Sequence, residues 1–246
     1  MQKIVVFNPK GGSGKTTLST NLASYYASQR YKTALMDYDP QGSSSFWLNK
    51  RPPQCRSIQP INAAKAKTGM TRSWQLHVEP GTQRVVVDSP AGASVDDFRR
   101  TLNEADAILI PVLPSDIDIH AVTHAIADLL LRAKISRSQK RIAVIANRSR
   151  KNTLVYQRLE RFLSSLDIPF VTTLRDTQNY VHAAEQGLGI FEMHGSKVKK
   201  DVVSWQPLID WLDNKLDSKF TTCKSPQAYS EIDSRRPSSS NNWCAT

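Results

Sequence analysis

The residues best suited to chemistry in this chain are Lys10-Gly11-Gly12-Ser13-Gly14-Lys15-Thr16-Thr17. Three glycines let a backbone turn so that successive N–H groups face inward, where they can hold phosphate oxygens. Lys15 can reach terminal phosphates, and the Thr16 hydroxyl can hold Mg²⁺. The stretch follows an apolar strand-like run, Ile4-Val5-Val6-Phe7, and opens a helix-like run, Leu18 to Tyr26. A phosphate-binding loop needs that setting, because the helix offers its positive N-terminal end to the same anion. Pro9 stands where the general pattern has its first glycine, and a second lysine, Lys10, precedes the glycine pair. A glycine-rich segment can also be a plain turn. Two lysines and two threonines between a strand and a helix favour the nucleotide reading.

Three further motifs close apolar strand-like runs. Met36-Asp37-Tyr38-Asp39-Pro40-Gln41-Gly42 ends the second run with two carboxylates. Charge at the end of a buried strand is costly, and a phosphate site with Mg²⁺, Lys15 and a water nucleophile supplies a reason for it. The competing explanation is an Asp-Pro turn. Val85-Val86-Val87-Asp88-Ser89-Pro90-Ala91-Gly92 has the form of a Walker B strand, whose aspartate helps to hold Mg²⁺. Its Pro90 and Gly92 suit a loop that orders around a γ-phosphate and relaxes after hydrolysis. Ile145-Ala146-Asn147-Arg148 closes a fifth run, where Asn147 is a ligand candidate or a turn former.

Positioning these residues takes a regular frame. Strands are expected at 3–8, 32–37, 84–88, 106–111, 141–147 and 168–172, several of them unbroken apolar runs of the kind a parallel sheet buries on both faces. Helical patterns fall at 16–29, 95–104, 117–134, 153–166 and 177–187. Ser115 and Asp118 read as a capping box, and Gly187 as a helix stop. The alternation predicts an α/β fold, doubly wound, with a mostly parallel sheet flanked by helices and ligands at the carboxyl ends of the strands. Residues 49–82, rich in proline, read as a surface excursion with one or two short helices. Residues 1–217 form the expected domain, and 218–246, polar and rich in serine, an expected disordered tail.

Composition narrows the partners. The chain carries a net charge of +11, and residues 218–246 supply little of it, with four basic and two acidic side chains. A basic surface draws polyanions: nucleic acid, anionic membrane or acidic proteins. No segment approaches the ~18 apolar residues of a membrane span. Cys55, Cys223 and Cys244 are too few and too scattered for a disulfide framework or a metal site, which suggests a reducing cytosol.

Lys10-Gly-Gly-x-Gly-Lys-Thr, the Asp-x-Asp-Pro-Gln element and Asp-Ser-Pro-Ala-Gly together resemble the ParA/MinD family of deviant Walker A ATPases, over about residues 1–217. The resemblance is to a small form without an N-terminal helix-turn-helix. It implies an ATP-dependent sandwich dimer in which Lys10 reaches the nucleotide of the other subunit. It implies roles for Lys15 on phosphate, Asp39 in orienting the attacking water, Thr16, Asp37 and Asp88 at Mg²⁺, and Asn147 on the adenine. It implies non-specific DNA binding on the nucleoid and hydrolysis stimulated by a ParB-like or other cargo adaptor. The DNA surface of the family lies in the C-terminal half, which here holds Arg148, Arg150, Lys151, Arg175, Lys197, Lys199 and Lys200. Membrane-bound relatives use a C-terminal amphipathic helix. Trp205, Leu208, Ile209, Leu212 and Leu216 do make a helical stripe, but Asp210, Asp213 and Asp217 line its polar side. Anionic lipid repels such a helix, so core packing is the expected use of the stripe and membrane binding is not expected.

Overall fold

The continuous apolar runs form the centre of one sheet in the computed structural model. It describes residues 1–64, 69, 71–133, 135, 141–149, 154–165 and 168–213. The strands are β1 (Gln2–Val6), β2 (Thr33–Asp37), β3 (Gln59–Asn62), β4 (Arg84–Asp88), β5 (Ala107–Val112), β6 (Arg141–Ala146) and β7 (Phe170–Thr173). They lie in the order β3-β2-β4-β1-β5-β6-β7, and every neighbouring pair is parallel. The chain passes from β4 on one side of β1 to β5 on the other, so the crevice of the sheet opens at the carboxyl end of β1.

The helices are α1 (Lys15–Ser28), α2 (Ser43–Asn49), α3 (Arg72–Gln75), α4 (Val95–Asn103), α5 (Asp116–Leu131), α6 (Leu154–Ser165), α7 (Asn179–Glu185) and α8 (Lys199–Leu212). Side chains alternate across a strand, so each central strand feeds two cores. Val5, Val85, Ile108, Ile110 and Val144 pack with Phe98 of α4, Ile126 of α5 and Leu163 of α6. Residues of opposite parity, Ile4, Val6, Val86 and Leu109, are also buried, on the face where α1 packs against β4 and β2, and α8 against β7. All six expected strands are present. β3 was not expected: it is an edge strand of four residues containing Pro60, a position where a missing N–H costs no ladder bond. α2 was not expected either, while α3 supplies the short helix foreseen in the excursion.

Two cap expectations hold in altered detail. The Ser115 hydroxyl accepts from Asp118 N at 3.1 Å, but the Asp118 carboxylate turns to that same hydroxyl. Gly187, at φ 67°, ends α7, and Leu188 N reaches back to Ala183 O at 2.9 Å. The C-terminal stripe is core: Trp205, Leu208, Ile209 and Leu212 are buried, as its packing reading required. Leu216, Asp217, Arg150, Lys151 and the 218–246 tail lie outside the described residues. Among the described residues no helix is long and apolar enough to cross a membrane.

Candidate active site

The loop after β1 is tied down at both ends. At its entry the buried Asn8 donates from Nδ2 to Pro111 O of β5 at 2.7 Å and accepts Lys10 N at 2.9 Å. At its exit the buried Asn147, just past β6, donates from Nδ2 to Ser13 O at 2.9 Å. Between these anchors Gly12 and Gly14 take φ values of 75° and 93°, which side chains rarely adopt. Gly14 is also sterically required, since a Cβ there would lie 1.9 Å from Asn147 Nδ2. Gly14 caps α1 with no side-chain acceptor, so the first N–H groups of the helix stay open to an anion.

Lys15 opens α1 and is buried, its ammonium 3.1 Å from Lys10 O. Burial pushes it below the ordinary lysine range, and nearby Asp88 and Asp39 pull it back up. Register places the two strand-end acids side by side, Asp37 of β2 opposite Asp88 of β4. Both are buried. Asp88 accepts hydroxyl donors from Ser19 of α1, at 3.2 Å, and from Ser44 of α2. Burial pushes its carboxyl up to about 6, against the opposing pull of the Ser44, Thr16 and Ser19 hydroxyls. Asp37 accepts Ser45 N and Ser45 Oγ, each at 2.8 Å, and Asp39 N at 3.0 Å. Asp39 itself is half-buried, its Oδ1 accepting Gln41 N at 2.9 Å, and Gly42 at φ 66° then starts α2.

The loop after Asp88 leans on the glycine loop: Gly92 N donates to Pro9 O at 2.7 Å. Both Walker-type segments and the Asp39 turn therefore converge within one crevice. A cavity of about 500 Å³ continues beside it, walled by Thr17 of α1, Phe46 and Trp47 of α2, Asn147 and Arg175.

The structure places the remaining expected residues as follows. Gly11 is exposed and Ser13 buried in the loop, with Thr16 and Thr17 on the first turn of α1. The side chain of Lys10 pairs within its own subunit, Nζ 2.6 Å from Asp118 Oδ1. Asn147 already uses its amide on Ser13 O and its oxygen on Arg148 N, so its contact within the chain is to the loop. Arg148, exposed and left-handed at φ 48°, rims the cavity. Arg175 is committed to the buried Asp201 of α8, Nε to Oδ1 at 2.9 Å, which neutralises much of its charge. Lys197, Lys199 and Lys200 are exposed at the start of α8. Sequence reasoning missed Ser19, Ser44, Ser45 and Asp118. The serine run directly after Gly42 was a readable signal for hydroxyls at a helix N-terminus; Ser19 had none, and Asp118 was read only as the capping partner of Ser115, with no signal for Lys10.

A buried-lysine loop with two facing carboxylates at a parallel-sheet switch point defines a nucleotide-binding P-loop fold. The chain belongs to the CobQ/CobB/MinD/ParA nucleotide-binding domain family, whose model matches residues 4–190. It is similar to the maintenance of carboxysome distribution protein A of Halothiobacillus neapolitanus, 29% identical over 191 residues, 77% of this chain and 87% of that protein. Among solved structures it is similar to a Cyanothece McdA variant in complex with ATP, with a TM-score of 0.61 at 16% identity over 85% of this chain and 96% of the other. It is also similar to the MinD cell division protein of Aquifex aeolicus, with a TM-score of 0.63 at 19% identity over 87% and 96%.

Proposed function

We propose that this chain is a Mg²⁺-dependent ATPase that pairs two copies around ATP, binds DNA without sequence preference and positions a cargo over the nucleoid. Residues 1–217 carry the activity, and 218–246 are an appended tail. The observation that carries the reading is the meeting of Lys15, Asp37, Asp39 and Asp88 at the mouth of the glycine loop. Such a set has one economical use, the binding and hydrolysis of a phosphoanhydride.

The N–H groups from Gly11 to Thr17 cradle the phosphates, and Lys15 neutralises their outer charge. Thr16, Asp37 and Asp88 fit Mg²⁺, since hydroxyl and carboxylate oxygens are the hard donors it takes, and an acid buried as deeply as Asp88 gains from a cation. Bound there, Mg²⁺ would supply charge neutralisation between the phosphate groups. Asp39, on its own turn and half-exposed, holds the attacking water in line. Lys10 neutralises phosphate in the site of the second copy. Asn147 positions the loop and borders the base.

Lys197, Lys199 and Lys200 form the DNA surface. Cations at a helix N-terminus oppose its dipole, so this cluster does nothing for α8 and is free for phosphate recognition. Arg148 extends that surface. A named relative maintains carboxysome distribution, which supports a positioning role, and we assign to that role an adaptor, ParB-like or specific to the cargo. Co-sedimentation with DNA tests the reading. Binding in ATP and its loss in ADP and in Lys10→Ala is the expected pattern; equal binding in both nucleotides would refute it.

A further inference from the structure

We infer that Asp118 is a positioning residue for Lys10: it holds the ammonium inside its own subunit and thereby sets the concentration at which ATP pairs two copies. The inference rests on the reading above that Lys10 serves a second copy.

The contact is short, Lys10 Nζ to Asp118 Oδ1 at 2.6 Å, and lopsided in burial. The Lys10 side chain is 34% exposed, that of Asp118 only 6%. Among the described ion pairs, Lys10 is the one cation set against Asp118. The second carboxylate oxygen goes to the Ser115 hydroxyl at the cap of α5. A carboxylate so deeply placed favours keeping a counter-charge beside it, because an unpaired buried charge is costly. The main chain of Lys10 is fixed as well. Its N–H is on Asn8 Oδ1 at 2.9 Å, and its carbonyl takes the Lys15 ammonium at 3.1 Å. The loop therefore stays put, and only the methylene stem of Lys10 can swing.

A lysine held this way cannot also neutralise phosphate in another subunit. Each copy must break one ion pair as the sandwich closes, so every dimer breaks two. Exposure of the lysine end screens each pair, which leaves it worth about threefold in an equilibrium constant. Two of them together raise the midpoint of ATP-driven dimerisation by about tenfold.

Asp118→Asn keeps the size of the side chain and an oxygen for the cap while deleting the charge. Sedimentation of wild type, Asp118→Asn, Lys10→Ala and the double variant across a concentration series in ATP tests the idea. The expected result is a midpoint about tenfold lower for Asp118→Asn, while Lys10→Ala and the double variant both stay monomeric across the series. Ser115→Ala, which weakens the cap but leaves the ion pair, should dimerise like wild type. An unchanged or higher midpoint in Asp118→Asn, with Lys10→Ala monomeric, overturns the role of Asp118 and leaves the sandwich standing. Dimerisation of Lys10→Ala at the wild-type midpoint sinks the sandwich reading itself. Should Asp118→Asn not fold, Asp118→Ser, which retains a helix-capping hydroxyl, is judged by the same two midpoints.

Discussion

Gly14→Ala is the perturbation for which the structure allows the most direct arithmetic. Gly14 has φ 93°, a conformation that costs a residue with a Cβ about 1–2 kcal/mol. The new methyl would also sit 1.9 Å from Asn147 Nδ2, a distance no real contact survives. The amide must move, and its 2.9 Å bond to Ser13 O goes with it, for about 1 kcal/mol more. The total is about 2–3 kcal/mol, a large part of the ~5–15 kcal/mol that holds a domain folded. Gly12→Ala is the internal control. Gly12 has φ 75° but open space around its Cβ position, so only the backbone cost of about 1–2 kcal/mol applies. Urea unfolding followed by circular dichroism reads these costs, and titration with a fluorescent ATP analogue reads the loop. Gly14→Ala should lose about 2–3 kcal/mol and most nucleotide affinity. Asn147→Ala should cost about 1–1.5 kcal/mol by itself. The double variant should be milder than the sum by about 1 kcal/mol, because the collision then has no second party. Strict additivity, or a Gly14→Ala protein as stable as Gly12→Ala, would refute the claim that Asn147 and Gly14 are built against each other.

Asp39→Ala should retain ATP binding and lose hydrolysis by about 10²-fold or more, trapping the ATP form in a phosphate-release assay. The Asp88 carboxyl, pushed up to about 6 from an ordinary 3.8, makes a pH prediction. Below 3.8 the acid is neutral in both the folded and the unfolded chain; above about 6 it is charged in both, and only the folded chain bears the burial cost. Its contribution therefore destabilises progressively from pH 4 to pH 6, and the stability of wild type relative to Asp88→Asn, measured without nucleotide, should fall across that window. A flat difference between the two proteins in urea midpoints would contradict it. Replacing Lys199 and Lys200 together by glutamine should weaken DNA binding uniformly across sequences. It should also reduce the slope of log affinity against log salt by about 2. An unchanged slope would move the DNA surface elsewhere.

The sheet was legible where burial writes itself into composition. β4 and β5 are covered on both faces, so Val85-Val86-Val87 and Ala107-Ile108-Leu109-Ile110 read as unbroken apolar runs. β3 was not legible, because an edge strand of four residues with a proline shows no such run. α2 was missed because seven residues are too short for helical periodicity to accumulate. The site divides in the same way. Lys10 to Thr17, Asp37, Asp39 and Asp88 were readable because a phosphate loop and strand-end acids are local patterns, each contiguous in the chain.

What those residues touch was decided by the folded chain. Register alone sets Asp37 beside Asp88, fifty-one positions apart in sequence. The parallel sheet and the helices packed on it bring Asn147 to the loop at Gly14, Ser44 to Asp88 and Asp118 to Lys10. Each partner there is a polar side chain common in turns and caps, so nothing nearby in sequence distinguishes it. Sequence determines the chemistry on offer, since that depends on residue type and short spacing. Tertiary structure decides which charge each group faces, because that depends on distances between segments that only the closed sheet brings together.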